Sequence, residues 1–314
     1  MSYSFLRESK LYIVYGGNKY RIYTSSALTF NQTFAEESYS VKTLHDQSKM
    51  FEGSSITKAN PASFSFDVPL TTEKDESIVL TLASDLSSNI LNSFDMYVQT
   101  GSSTFKLEGA IITSASFDFI PQNQFTMRVE GEGTKLTRAG DEDFDIDAAE
   151  SISSNAPFTI DSSSAEEFST RTPLLVYPTV TLNDGTSRNM DNILSVNLNI
   201  QNETEWTPYE TLQDSLNSTT MFPSAHTVGK RIISGEIRQY QTDNNVGQFD
   251  DFSTSTDLTI TAKKVSGDTD FFKIQINPAM YTARMSPEEV YTQSYDFRSL
   301  DNTDTVSTQI TEYI

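Results

Sequence analysis

This chain states one odd phrase twice, and that repetition narrows its possible folds more than any bulk property. Lys42–Phe51 reads KTLHDQSKMF and Glu210–Phe222 reads ETLQDSLNSTTMF. Thr43, Leu44 and Asp46 return as Thr211, Leu212 and Asp214, 168 residues on, and Met50-Phe51 returns as Met221-Phe222 after three extra residues. Other matches keep the order and nearly the same offset. Leu28-Thr29-Phe30-Asn31 answers Val196-Asn197-Leu198-Asn199 at 168, Phe105-Lys106-Leu107 answers Phe272-Lys273-Ile274 at 167, and Phe125-Thr126 answers Tyr291-Thr292 at 166. Solenoid periods run to only about 20–50 residues, so a repeat of this length is a whole domain with its own core. The expected organisation is a first copy over 1–140, a connecting segment over 141–170 and a second copy over 171–314.

The connecting segment, GDEDFDIDAAESISSNAPFTIDSSSAEEFST from Gly140, mixes acidic runs with serine and small residues and reads as a linker or long loop. It also carries much of the chain's charge. Residues 1–140 hold a net −3, 141–167 a net −9 and 168–314 a net −9, which makes the −21 of the whole. A chain this acidic is repelled by phosphate backbones, which disfavours tight sequence-reading of nucleic acid.

Inside the copies the period is two. Leu11, Ile13 and Tyr15 alternate, Gly16-Gly17-Asn18 supplies a turn, and Tyr20 and Ile22 reply, which is a hairpin signature. Phe64, Phe66, Val68 and Leu70 mark a half-buried strand. Phe105, Leu107, Ile111, Ala115, Phe117 and Phe119 are expected on one face of a long strand that turns at PQNQ (121–124) into Phe125, Met127 and Val129. In the second copy LNDGTS (182–187) marks the early hairpin, Ile260 a middle strand and SPEE (286–289) the late turn. The glycines of GEG (131–133) predict a bulge or a close backbone approach. Twenty Phe and 14 Tyr, with Ser, Thr and Asn at polar positions, support a mainly β fold in spite of only 36% hydrophobic residues. Two short helices are expected, one over Ser84–Phe94 with Leu86, Ile90, Leu91 and Phe94 on one face, and a turn or two around Val41, Leu44 and Phe51, ended by Gly53.

Reactive chemistry is sparse. There is no cysteine, hence no disulfide, thiolate nucleophile or cysteine-held metal. The two histidines, His45 beside Asp46 and His226, occupy non-equivalent places, and Gln213 stands where His45 does, so no catalytic pair is assigned. Asp141, Asp143, Asp145 and Asp147 alternate like a calcium loop, but counted from Asp143 the required glycine is Ala148 and the closing glutamate is Ser154. The expectation is no enzyme, no catalytic or cofactor-binding residue, no metal site and no cofactor. The N-terminus reads as without a secretory signal, and no apolar run of about 18 residues is present to span a membrane.

FKLEGAIITSASFDFIPQNQFTMRVEGEGTKLTR (Phe105–Arg138) resembles the closing long hairpin of the tail tube family of long-tailed bacteriophages, and the likeness extends over most of residues 8–138 and more weakly over 172–300. The second copy departs from it at the close, where YTQSYDFRSL lacks the glycines. The resemblance implies two tandem β-sandwich or barrel-like domains, each flanked by at most one or two short helices, whose sheets join neighbours into a channel. It implies a virion tail component made in the host cytoplasm. Three chains would give a pseudo-sixfold ring, and rings would stack into a tube. The implied partners are the chain itself, other tail proteins (sheath or terminator, baseplate hub, tape measure) and DNA in transient, non-specific passage, with no membrane insertion. An acidic, hydroxyl-lined bore without cations would let DNA slide. The alternatives are a tube initiator or baseplate hub ring, a carbohydrate-binding virion protein, for which the single Trp206 is a poor platform, and a membrane β-barrel.

Overall fold

A computed structural model describes residues 9–24, 28–42, 50–69, 77–84, 86–87, 90–120, 124–152, 154–155, 177–183, 187–190, 192–206, 222–243, 256–263, 270–287 and 289–299. The early turn forms as its sequence demands. Gly16 (φ 59°) and Gly17 (φ 75°) take the positive φ of a two-residue hairpin loop and join β1 (Lys10–Tyr15) to β2 (Asn18–Ile22). There follow β3 (Thr29–Asn31), β4 (Phe34–Lys42), β5 (Met50–Ala59), β6 (Ala62–Pro69), α1 (Ser77–Ser84), β7 (Leu86–Ser87), β8 (Ile90–Leu91) and β9 (Phe94–Gln99). Then come β10 (Thr104–Phe119), β11 (Thr126–Gly133), β12 (Lys135–Gly140), α2 (Ile146–Ala149) and β13 (Ser154–Asn155). The second half supplies β14 (Tyr177–Asn183), β15 (Ser187–Met190), β16 (Ile193–Trp206), β17 (His226–Tyr240), β18 (Thr256–Lys263), β19 (Asp270–Ser286) and β20 (Thr292–Ser299).

One sheet runs through both halves, antiparallel except where β13 meets β2. Its pairings occur twice. In the first half β2 pairs β1, β1 pairs β9 and β9 pairs β10; in the second, β15 pairs β14, β14 pairs β18 and β18 pairs β19. The far ends of the two long strands recur likewise, as β10–β11–β6–β3 and β19–β20–β17–β16. The first half divides what the second keeps whole. Pro61, which has no N–H for a ladder, separates β5 from β6, whereas β17 runs through the equivalent place. At that corner Gln32 takes over the backbone, donating to the carbonyls of Asn60 and Thr134 (3.0 Å each) and accepting from the Leu136 N–H (2.9 Å). The equivalent residue of unbroken β16, Ile200, is fully buried.

The core lies on one face of the sheet. Phe64, Phe66 and Val68 of β6 alternate inward, as the period of two requires, with Met127 and Val129 of β11 beside them. Helix α1 covers this face with Ile78, Val79, Leu82 and Ala83. Gly131 leaves room for an aromatic ring. A Cβ there would stand 2.2 Å from Phe64 Cζ and 2.3 Å from the Ile111 carbonyl oxygen, so the close approach expected of GEG is present. The second half solves the same place in reverse, with Gly235 on β17 under the ring of Phe297 on β20.

Three expectations are corrected. The helix expected over Ser84–Phe94 ends at Ser84 instead, because the apolar run Ile78–Ala83 takes the helical place; Leu86 pairs with Leu91 in a small hairpin and Phe94 begins β9. No helix forms at Val41 or Phe51, which face each other across the β4–β5 hairpin, while Leu44 lies outside the described residues. The long strand β10 does not keep one face. Register shifts after Leu107, at Gly109 (φ 58°), and again after Ile112, so Ile111 points away from the core shared by Leu107 and Phe117. Residues 141–152 and 154–155 of the connecting segment pack on the first half. Ile146 of α2 is buried among Tyr12, Val14 and Tyr97, and Asp145 caps the helix by accepting the Ala148 N–H at 3.1 Å.

Candidate assembly interface

The two halves are stitched by strand pairing between β10 and β16, from Ser114↔Gln201 to Phe119↔Val196. Phe117 and Phe119 on one strand and Val196, Leu198 and Ile200 on the other are fully or almost fully buried there. Asn197 Nδ2 donates to Asp118 Oδ1 at 2.6 Å, and Asn202 Nδ2 donates to the Ile112 carbonyl at 3.3 Å. Beyond this seam β16 and β17 continue as an arm laid on the first half. Val228 and Trp206 close over Leu91 and Ile111, the apolar residue that the bulges of β10 turned outward. Glu132 accepts from Trp206 Nε1 at 2.6 Å and Thr204 Oγ1 at 3.1 Å. The His226 ring lies tilted against Trp206, with ring centroids 5.3 Å apart, and its Nε2 accepts the Leu91 N–H at 3.2 Å. Burial lowers the pKa of this histidine.

Each end of the chain leaves such a seam half made. Among the described residues β3 pairs only with β6, and β19 beyond Ala279 pairs only with β20. These are the equivalents of the inner stretch of β16 and the outer stretch of β10. Phe117 is buried, but its equivalent Met285 is 43% exposed; Phe125 is buried, but Tyr291 is 53% exposed. The separate β4–β5 hairpin repeats the arm down to its bulge, between Ala35 and Glu36 as between Glu203 and Thr204. Its Ile56, opposite Glu36 as Val228 is opposite Thr204, is 55% exposed. An unpaired edge with exposed apolar side chains is a template for another strand.

Where β3, β6, β11 and β10 and their equivalents β16, β17, β20 and β19 lie side by side, the face away from the core carries polar rows. Thr29, Ser65, Glu130 and Ser114 form one row across four strands of the first half, and Asn197, Glu236, Asp296 and Thr282 form its equivalent in the second. The second row includes part of the wall of a shallow concavity of about 540 Å³. The two rows are not level: Asn197 pairs with Asp118, four residues beyond Ser114 on β10. Arg128, Arg238, Arg284 and Arg298 stand on this face too, so it is not free of cations. Arg128 pairs with Asp67 (3.3 Å) and Arg284 with Asp296 (2.7 Å).

Other singled-out residues have structural partners. Lys106 bridges Glu150 (2.6 Å) and Asp95 (2.9 Å), and Tyr97 donates to the same Glu150 oxygen. Burial opposes charge on Lys106 and Glu150, yet the hydrogen bonds override it, holding Lys106 above the ordinary lysine range and Glu150 below the ordinary carboxylate range; burial and Glu150 push Tyr97 up. Asp141 pairs with Arg138 and Asp147 with Lys19, each at 2.5 Å, so these two carboxylates of the alternating run bind the segment to the first half. His45 and Asp46 lie outside the described residues. Among the described residues no group of three or more His, Asp or Glu is placed to hold a metal, and no helix is long and apolar enough to cross a membrane. Sequence reasoning expected sheets to join neighbours but did not say which strands form the edges, although the equivalence of Phe117 with Met285 was there to be read.

A large, almost wholly antiparallel sheet that runs through both halves and leaves β3 and the outer stretch of β19 with one neighbour each among the described residues is the scaffold of a structural β protein. The chain belongs to the Bacteriophage Baseplate Tube Protein Family, whose model matches residues 1–122 and 152–314. It is therefore a phage tail and baseplate tube component of the virion. A search of curated proteins finds no match.

Proposed function

We propose that three chains close a ring in which each half, 1–140 and 171–314, is a tube domain supplying one of six equivalent sectors, and that stacked rings form a channel through which DNA passes. The observation that carries this reading is the repeated pairing order joined by the β10–β16 seam. The step between the two rows supports closure. Four strands per sector advance the register by four residues, the same ratio as in an eight-stranded barrel of shear eight, whose strands tilt by about 36°. Eight strands per chain and three chains make about 24. At about 4.8 Å between strands and that tilt, the backbone circle is about 45 Å across.

The polar face would line the bore. Its hydroxyls and amides offer DNA little to hold, and two of its arginines are tied to carboxylates. The bore would thus slide DNA in part by pairing Arg128 and Arg284 with carboxylates rather than by lacking cations. Terminator or sheath, hub and tape measure proteins are the further partners of such a ring. Electron microscopy of the purified chain tests the reading: closed rings or stacks with three-fold symmetry support it, and a monomer at all concentrations contradicts it. Glu130→Lys with Glu236→Lys, both on the polar face, is expected to leave assembly intact and slow genome exit; unchanged ejection would remove the bore assignment.

A further inference from the structure

We infer that the contact between chains repeats the internal seam residue for residue: the free edge of β19 pairs antiparallel with β3 of a second copy, with Ser286 opposite Thr29 and Arg284 opposite Asn31, and the β4–β5 arm of that copy lies on the second half of the first. This rests on the ring reading and adds its register. The internal seam fixes the alignment. Asp118↔Asn197 and Ser116↔Asn199, carried across the 168-residue repeat, become Ser286↔Thr29 and Arg284↔Asn31. In the same register Met285 meets Phe30, where Phe117 meets Leu198 inside the chain.

The chemistry at the arm is complementary as well. Inside the chain, Glu132 on the sheet is clasped by Thr204 on the arm. At the open junction the equivalent of Glu132 is Arg298, exposed on β20, and the equivalent of Thr204 is Glu36, exposed on β4. The clasp becomes an ion pair between chains. Exposed Ile56 then takes the place of buried Val228. The contact is head to tail, which closes into a ring once the rotation fits. A second copy is thus the occupant that both edges specify.

The cysteine-free chain permits a clean test. T29C/S286C is expected to give covalently linked chains on a non-reducing gel after mild oxidation, because cross-strand Cα atoms lie within disulfide range, about 4.4–6.8 Å. T29C/R284C, two residues out of register, is expected to link at least about tenfold less, since its Cα atoms exceed the roughly 7 Å limit. R298E should weaken assembly and E36R/R298E should restore most of it, a rescue that mere unfolding would not give. If rings form but T29C/S286C does not link, or links no better than T29C/R284C, the register is overturned while the ring stands. If no variant links and no ring forms, the ring reading falls and the register with it.

Discussion

Phe117 in the first half and Met285 in the second sit at equivalent points of equivalent strands, yet one is sealed and the other nearly half exposed. The difference lies in the neighbour: β16 lies beside Phe117 and no described strand lies beside Met285. Among the described residues the added strand is the visible difference between the two places. A second contrast concerns complementarity. The halves exchange Phe64 and Gly131 for Gly235 and Phe297 across the same pair of strands, keeping a ring over a bare backbone while the residues trade places. A third is polarity. Where the first half buries Val68 against Met127, the second buries Gln239 against Gln293, tied together at 2.8 Å and to Tyr295, whose hydroxyl burial pushes up to about 12.

These contrasts can be pressed in order of expected effect. Phe117→Ala empties a sealed site and should cost the chain about 3–5 kcal/mol in a denaturant melt, whereas Met285→Ala should fall within about 0.5 kcal/mol and reduce only self-association. Equal losses would show that the two sites do not differ by a missing strand. Gly131→Ala and Gly235→Ala should each cost about 3 kcal/mol or more, because the added carbon meets a backbone oxygen at 2.3 Å and 2.0 Å respectively and backbone cannot swing aside.

Gln293→Met alone should cost about 1–3 kcal/mol by stranding the buried Gln239 amide. Gln239→Val, Gln293→Met and Tyr295→Phe together make this site apolar like its counterpart, and should recover that loss or better. Failure of the triple variant to recover would mean that the polar site answers to packing beyond this pair.

The smallest effect is that of His226. Its folded pKa lies below the ordinary 6.5, so its contribution is complete above about pH 6.5 and is lost as pH falls through the folded value. Trp206 packs against it and is the only tryptophan, so its emission should report this loosening of the seam, and His226→Gln should flatten the response.

Much of the strand layout was legible in the sequence. Alternation located β1, β2, β6 and β11, because one buried face imposes a period of two. Gly131 was legible because only a close approach explains glycine in a strand. The helix was misplaced because Leu86, Ile90, Leu91 and Phe94 imitate a helical stripe while serving a tight hairpin and the start of a strand. Ile111 was misassigned because two bulges within one strand leave no mark in apolar spacing. Which strands form the edges was hidden for a different reason: Met285 and Ile56 look like core residues, and they are exposed where no described strand lies beside them.

Backbone amide hydrogen exchange, compared between dispersed and assembled chain, tests most directly whether chains meet as the halves do. The account predicts that residues 29–31 and 282–286 become protected together on assembly, while 114–119 and 196–201, already paired, change little. Assembled particles in which both edges exchange as freely as in the dispersed chain would contradict it.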